Sequence, residues 1–493
     1  MPRNLIAPFL VVLAALAAPS LAPAHEQETV PLDAPSTESA LAPSEGSDNL
    51  SLVKNIPYPA RNGTVANYGT DIEFAKIRGK RYAFAGSYKN GMQIVDISDP
   101  RAAKTVAVYD CAVTQGDVQI FRQADEPGRV FATYTSDTFG NVNSGCYREA
   151  EALGFAVSKQ TTSANNGKNG SFIVDITNPL EPKTVSFAPF AQGSHNMSVH
   201  PSGNFLYNSN SDLITSIMPA IEITDISNPS QPVPAGELAL PTRPGLGTES
   251  HDITFNADGS RGYSAALSQG AIIDTTSPGA PKLVTSFLDP TINLWHQADP
   301  VTIGDREFLV VEDEFAGAIG TGQCPNGGVH VFDITGEKEK APEKVGYWNI
   351  DDLGPTASVT DSCTAHVFDI HEDEQIMTIA FYNGGVRVVD ISGLEGVALG
   401  ETSLVGEGMK EIGFFRTGNA DTWSAKTPEI EKDGDFFLYG NDINRGLDVY
   451  RFEAEAPRSK RPGTWKNKQE AESLPTRPAG STAAPLDLLS PVG

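Results

Sequence analysis

One short phrase recurs along the chain and constrains its fold more than any other feature. Each copy has a β-branched apolar run, usually preceded by glycine and followed by aspartate and a turn residue. The copies are GMQIVDISDP (91–100), GSFIVDITNP (170–179), AIEITDISNP (220–229), GAIIDTTSP (270–278), GGVHVFDITG (327–336), GGVRVVDISG (384–393) and the weaker RGLDVYRFE (445–453). The apolar run predicts a buried strand, and the polar tail predicts a turn.

Each repeat unit holds more than one strand. In the first unit, TDIEFAK (70–76) and RYAFAGSY (81–88) precede the phrase, and KTVAVYD (104–110) follows it. Four short strands in each of seven units predict an all-β fold, a seven-bladed β-propeller with four-stranded blades. The last unit lacks a fourth strand, so we expect LSLVKNIPYP (50–59) to complete it, with residues 50–56 beside 446–453. Such closure removes an exposed sheet edge.

The two ends of the chain differ from the repeats. Arg3, an apolar run and the sequence Ala-Pro-Ala ending at Ala24 predict a secretory signal peptide. We therefore expect a secreted protein, extracellular or at the cell surface, with no membrane span in the mature chain. The predicted division is a signal peptide (1–24), a disordered linker (25–49), the propeller (50–456) and a disordered tail (457–493).

The net charge of −26 excludes nucleic acid as a favoured partner, because the phosphate backbone is itself negative. A small molecule or a surface partner of unknown identity, and a monomeric state, are the expectations that remain.

The repeated phrase resembles the LVIVD repeat, and the likeness covers nearly all of residues 50–453. The dipeptides His195-Asn196, His251-Asp252 and His296-Gln297 further resemble a choice-of-anchor B subset of that family. The closing NDINRGLDVYRF (441–452) is also similar to the last unit of the family. The resemblance implies a secreted or surface-attached propeller and supplies no settled reaction.

Four histidines fall at one position when the first strands of the units are aligned. That position holds Thr70, Gly116, His195, His251, His296, His366 and, in the last unit, Asp421. First strands of a propeller surround its axis, so these histidines are expected to converge near one mouth of the channel. Convergent neutral imidazoles suit a transition metal ion such as copper, iron or zinc.

Polar neighbours of the four histidines complete the predicted site. We expect Asn196, Asp252 and Gln297 to fix the imidazole tautomers, and Asp71, Asp117 and Asp421 to contribute carboxylates. Two other interpretations remain open: a metal-free pocket for an organic ligand, or hydrogen bonds that merely join neighbouring blades.

The remaining histidines and the repeated aspartates predict structural roles. His200 and His371 follow the first strands in hairpin turns and are expected to be exposed at the opposite end, whereas His330 is expected to pack within a third strand. The aspartate that ends each phrase is expected to hold a turn by hydrogen bonding.

Four cysteines in an exported chain allow three disulfide pairings. Cys111 and Cys363 lie in links between units, and Cys146 and Cys324 lie in long insertions between second and third strands. Both loop types share the face where the first strands begin. The predicted pairs are therefore Cys111–Cys146 and Cys324–Cys363.

These features favour an extracellular propeller that binds a transition metal at a histidine-lined mouth, with oxidoreductase activity as the reaction class considered. The alternative is a non-catalytic ligand-binding or surface-interaction module. The sequence does not decide whether the protein is an enzyme, because no nucleophile elbow, phosphate loop or dinucleotide motif is apparent.

Overall fold

The computed structural model describes residues 44–137, 144–157, 170–191, 193–210, 220–243, 247–314, 327–350, 363–397 and 408–454. These residues form seven antiparallel sheets of at least four strands, one for each sequence unit. The predicted all-β, seven-bladed propeller with four-stranded blades is confirmed.

The first strands of successive blades contact one another around a closed ring and surround the channel. In blades one to seven they are Gly69–Ile77, Gln115–Phe121, Asn196–Val199, Asp252–Phe255, Trp295–Ile303, His366–His371 and Thr422–Lys426.

Each second strand runs antiparallel to the first, so its last residues lie beside the start of the first strand. The second strands are Lys80–Ser87, Phe131–Ser136, Phe205–Ser209, Arg261–Ala266, Arg306–Asp313, Ile376–Ala380 and Phe436–Asp442.

The repeated phrase supplies the third strands. These are Met92–Asp96, Gly170–Asp175, Ala220–Asp225, Gln269–Asp274, Gly328–Asp333, Val386–Asp390 and Gly446–Phe452. The outer strands of blades one to six are Lys104–Tyr109, Lys183–Pro189, Val233–Ala239, Lys282–Phe287, Glu343–Trp348 and Lys410–Arg416.

The outer strand of blade seven comes from the other end of the chain. Leu50–Ile56 pairs antiparallel with Gly446–Phe452, with Leu50 opposite Phe452 and Ile56 opposite Leu447. The two-residue strand Glu45–Gly46 adds to the outer edge of blade six and lies within the segment predicted as linker.

The core lies between blades. Each of seven apolar clusters in the described residues combines side chains of two neighbouring blades. In blades five and six, for example, Phe308 and Val331 pack with Met377. The ring is therefore held together by burial of apolar surface at every blade interface.

The aspartate of the repeated phrase forms the expected turn in all six blades that carry it. Its Oδ1 accepts a hydrogen bond from the backbone N–H two residues later, at 2.8–3.0 Å. This contact stabilises the turn from the third to the outer strand.

Short helices interrupt the sheets at a few places. The α-helix Gly145–Ala152 lies between the second and third strands of blade two. The 3-10 helices Pro100–Ala102, Gly336–Lys340 and Ser392–Gly396 follow third strands. Within the described ranges no helix is long and apolar enough to cross a bilayer. The predicted signal peptide, residues 25–43 of the linker and the tail lie outside the described residues.

Candidate metal centre in the channel

Register shifts aim two consecutive residues of a first strand into the channel. In blade five the shift falls between Trp295 and Gln297, so His296 is the extra residue opposite the second strand. Comparable shifts open the first strands of blades one, two, six and seven. A bulge interrupts the alternation of a strand, which explains why both His296 and Gln297 line the channel.

The structure brings the four histidines together in an arc along four consecutive blades. Their ring centroids are 4.2 Å apart from His195 to His251, 4.0 Å from His251 to His296 and 4.5 Å from His296 to His366. All four side chains line the channel, yet each residue is no more than 3% exposed.

Each ring is oriented through its Nδ1 atom by a hydrogen-bond acceptor. His195 Nδ1 lies 3.0 Å from Asp137 Oδ1, and His251 Nδ1 lies 3.0 Å from the carbonyl oxygen of His296. His296 Nδ1 lies 2.5 Å from Glu312 Oε2, and His366 Nδ1 lies 2.5 Å from the carbonyl oxygen of Trp423. A carboxylate or carbonyl oxygen at Nδ1 is the arrangement that orients metal-binding histidines.

The closest contact between two histidine rings of the arc joins two Nε2 atoms. His195 Nε2 and His251 Nε2 are 2.9 Å apart. A carbonyl oxygen only accepts hydrogen bonds, so the His251 ring carries its proton on Nδ1 and a lone pair on Nε2. Asp137 keeps a proton on His195 Nδ1 as well. The two Nε2 atoms are therefore close enough to share either one proton, in a hydrogen bond from His195, or one bound cation.

A carboxylate completes the other half of the arc. Ligand atoms of His296, Glu314 and His366 lie within 4.8 Å of one another, the sole such group among the described residues. Glu314 Oε2 is 3.7 Å from His296 Nε2, and Glu314 Oε1 is 3.9 Å from His366 Nε2. The Tyr382 hydroxyl donates to Glu314 Oε1 at 2.8 Å and so orients this carboxylate.

Burial favours the neutral forms of His251 and His366 and the protonated forms of Glu312 and Glu314. Burial lowers the pKa of His366 to about 3 and the pKa of His251 well below its usual range, with His195 lowering the latter further. Burial raises the pKa of Glu314 to about 8, and burial together with Glu314 raises the pKa of Glu312 well above its usual range. Neutral imidazoles are the form that binds metal, and a bound cation would favour ionised carboxylates.

Sequence reasoning missed the acidic partners Asp137, Glu312 and Glu314. Asp137 follows the second strand of blade two, whereas Glu312 and Glu314 lie at the end of the second strand of blade five. The signal was present in REFLVVEDE (306–314), an apolar strand that ends in three acids. In an antiparallel blade that end adjoins the start of the first strand.

The assignment of Asp421 to the histidine position is wrong by two residues. Trp423 occupies that position in blade seven: its carbonyl oxygen contacts His366, and its side chain lines the channel. The spacing supports this alignment. Lys426, three residues after Trp423, lines the channel, as Asp369 does three residues after His366. Asp421 does not line the cavity; its backbone N–H donates to Asp442 Oδ2.

The predicted tautomer-fixing residues have other contacts. Gln297 Oε1 accepts from the backbone N–H of Phe368, and Asp252 Oδ1 accepts from the N–H of Ile253. Asn196 lines the channel beside His195. The four Nδ1 partners described above take the role predicted for these side chains, because strand pairing and not sequence adjacency decides what lies behind each ring.

Asp71 and Asp117 line the channel next to the histidine arc and join neighbouring blades. Asp71 Oδ2 accepts from the N–H of Val118, and Asp117 Oδ2 accepts from the N–H of Met197. Both contacts are hydrogen bonds that join neighbouring blades. This is the structural role that the sequence left open as an alternative to metal binding.

The cavity in front of the histidines extends away from the predicted mouth. It has a volume of about 740 Å³ and reaches the turns after the first strands, where Pro201 and Glu429 line it. The histidines, expected near one mouth, thus lie at the inner end of a cavity that opens toward the opposite face.

The other described histidines lie outside the arc. His200 is 5% exposed, which corrects the expectation of an exposed turn residue, and its Nε2 donates to the carbonyl oxygen of Gly259 at 2.8 Å. His371 is partly buried, 3.2 Å from Asp369. His330 is buried against Tyr347 in a third strand.

A disulfide joins Cys111 and Cys146, which are 35 positions apart. It ties the link between blades one and two to the helix Gly145–Ala152. Cys363 is buried, but Cys324 lies outside the described residues, so the second pair stays a prediction.

Comparison with known protein families supports the presence of LVIVD repeats in this chain. The LVIVD repeat family model matches residues 76–110 and 193–238, which lie in blade one and blade three. A search of the curated proteins finds no match to the chain. The repeat and the seven-bladed fold together support an LVIVD-repeat propeller.

Proposed function

We propose that this propeller binds a transition metal ion, copper, iron or zinc, in the arc of His195, His251, His296 and His366, where Glu314 is a further oxygen ligand beside His296 and His366. The observation that carries the proposal is the 2.9 Å contact between His195 Nε2 and His251 Nε2 in rings whose Nδ1 atoms face acceptors. Two nitrogens at this distance, each about 2.0–2.1 Å from one ion, would subtend about 90° at it.

The proposed reaction class is oxidation or reduction of a small molecule. Its support is the 740 Å³ cavity, which leads from the histidines to the opposite face and gives a small molecule a path to the ion. Imidazole ligands suit redox-active copper and iron as well as zinc. We also propose a secreted location, which the Cys111–Cys146 disulfide supports because such bonds persist in oxidising compartments.

The test is the metal content of protein purified without an affinity tag and dialysed after loading with each metal. We expect about one equivalent of metal in the wild-type protein and a loss in His195→Ala and His366→Ala, since each change removes a ligand. His200→Ala should keep the metal, because His200 lies outside the arc. A metal-free wild-type protein, or equal loss in all three variants, contradicts the proposal and favours the non-catalytic binding module.

A further inference from the structure

Three neighbouring blades carry no histidine at the arc position. Blades seven and one place Trp423 and Thr70 there, and blade two has Gly116 at this position and places the preceding residue, Gln115, in the lining of the channel. Trp423 of blade seven contacts His366 of blade six directly. Gln115 of blade two lies three blades from both His296 and His366 around the seven-bladed ring, and so on the opposite side of the axis. The space between the two sides is part of the described cavity.

Gln115 has a buried donor that the protein does not use. The residue is 6% exposed and lines the cavity, but its Nε2 makes no hydrogen bond with any residue in the described part of the chain. Buried polar groups are normally paired, so this amide indicates a ligand that supplies the acceptor.

The backbone holds Gln115 in this place at a conformational cost. Its φ is +58°, a left-handed conformation that few residues other than glycine adopt, and the next residue, Gly116, has φ +84°. The Thr70 hydroxyl donates to the Gln115 carbonyl oxygen at 2.6 Å and fixes this peptide. Strain of this kind at a channel-lining residue points to function.

The channel wall beyond Gln115 is acidic. Six carboxyl groups of the first strands line the cavity: Asp71, Glu73, Asp117, Asp252, Asp299 and Asp369. The cations Lys76, Arg81 and Lys426 also line it. Lys426 Nζ lies 2.9 Å from Asp71 and 2.7 Å from Glu73, and His371 lies beside Asp369. The remaining three accept hydrogen bonds: Asp117 from Met197 N–H, Asp252 from Ile253 N–H, and Asp299 from the Thr254 hydroxyl and the Gln297 amide. Burial raises the pKa of Asp252 to about 7, that of Asp299 to about 6 and that of Asp117 well above its usual range, so a cation placed among them would favour their ionised forms.

We propose that this chamber binds a small primary amine that also carries a hydroxyl or carbonyl oxygen. The ammonium group faces Asp117, Asp252 and Asp299, and the oxygen accepts a hydrogen bond from Gln115 Nε2. Asp117 follows Gln115 by two residues, across the bulge at Gly116, and both line the same cavity, so the proposed ligand is a small amino alcohol of two or three carbons. This inference rests on the proposed function only in placing the ligand beside a metal ion.

The test compares ethanolamine, ethylamine and acetate by ligand-observed NMR titration at pH 7. The wild-type protein should bind ethanolamine about 3- to 10-fold more tightly than ethylamine, the range expected for one hydrogen bond. Gln115→Leu should abolish this preference. Gln119→Leu, four residues along the same cavity wall, is the matched control and should keep it. Acetate should bind more weakly than either amine.

Gln115→Gly separates loss of the amide from loss of the fold. Glycine accepts φ +58°, so this variant should melt at or above the wild-type temperature while losing the preference for ethanolamine. A preference that persists in Gln115→Leu and Gln115→Gly, or acetate that binds more tightly than ethylamine, overturns the inference.

Metal analysis of the same samples distinguishes the two proposals. A wild-type protein that holds metal but shows no preference for ethanolamine refutes this inference alone. A metal-free protein that keeps a Gln115-dependent preference supports this inference and refutes the metal centre.

Discussion

At His200 both ring nitrogens contact a nearby turn, whereas in each histidine of the arc Nδ1 faces an acceptor and Nε2 faces another arc histidine or Glu314. His200 Nε2 donates to the Gly259 carbonyl oxygen, and Nδ1 accepts from the backbone N–H of Ser202. The ring also contacts Phe255 edge to face. The contacts of each nitrogen therefore separate a structural histidine that joins blades three and four from the candidate ligands.

His200→Ala should lower the free energy of unfolding by about 1–3 kcal/mol, because it leaves the buried Gly259 carbonyl without its donor. Chemical denaturation measured by circular dichroism gives this value. Ser202→Ala is the matched control, since its hydroxyl contacts the same ring from an exposed turn, and it should have a smaller effect. Equal stability of His200→Ala and wild type would show that this ring does not join the blades.

Among the elements, the turns after the third strands share one backbone hydrogen bond but differ in the charged groups that contact the aspartate. In blade five, Asp333 is 1% exposed and contacts both Arg306 and Lys338 at 2.8 Å. Although burial raises the pKa of Asp333, hydrogen bonds from Lys338 and Arg306 hold it well below its usual range. This turn therefore adds an ion-pair network to the shared backbone contact.

Asp333→Asn should cost about 1.5–3 kcal/mol of unfolding free energy at pH 7, the range for hydrogen bonds to charged groups. A carboxyl whose pKa is depressed by folding stabilises the protein above its unfolded pKa, about 3.9, and this contribution is lost as pH falls from there through the folded value. The wild-type advantage should thus shrink below about pH 4, which denaturation curves between pH 2 and pH 7 will measure.

Asp225→Asn is the control for this element. Asp225 occupies the same turn position in blade three, where its hydrogen bond to Ser227 is exposed to solvent. An asparagine oxygen can accept the same bond, so the variant should change stability by less than about 1 kcal/mol. If Asp225→Asn shows a pH dependence as large as that of Asp333→Asn, the ion pairs of Asp333 are not the cause of the pH dependence.

For the whole molecule, the ring depends on pairing between distant parts of the chain. Leu50 and Ile56 are 2% and 7% exposed on the strand that flanks Gly446–Phe452. Without Leu50–Ile56, the strand Gly446–Phe452 would present an open edge that invites aggregation.

A chain that begins at residue 57 should be less stable than one that begins at residue 44 by about 3–6 kcal/mol, from the burial of two aliphatic side chains. Thermal unfolding and size-exclusion chromatography will compare the two, and the shorter chain should melt earlier and self-associate. Equal Tm values and a monomeric shorter chain would mean that this strand does not close the ring.

Much of the fold and part of the candidate site could be predicted from the sequence. The repeated phrase predicted third strands and turns correctly, because buried β-branched runs and Asp-Ser or Asp-Thr turns are local patterns. The alignment of first strands also selected His195, His251, His296 and His366, which the structure places in one arc. The same alignment wrongly assigned Asp421 to the histidine position of the last blade. The two-residue offset at the start of that blade has no signature in the local sequence.

By itself, the sequence determined the number of blades, the residues of each third strand and the four histidines at a shared position, because these depend on periodicity. Only the tertiary structure decided which groups lie behind each imidazole: Asp137 and Glu312 reach their histidines from neighbouring second strands. It alone also placed Glu314 beside His366 and put Gln115 across the channel from both. Such contacts depend on bulges and on the packing of one blade against the next, which join residues that are distant in the chain.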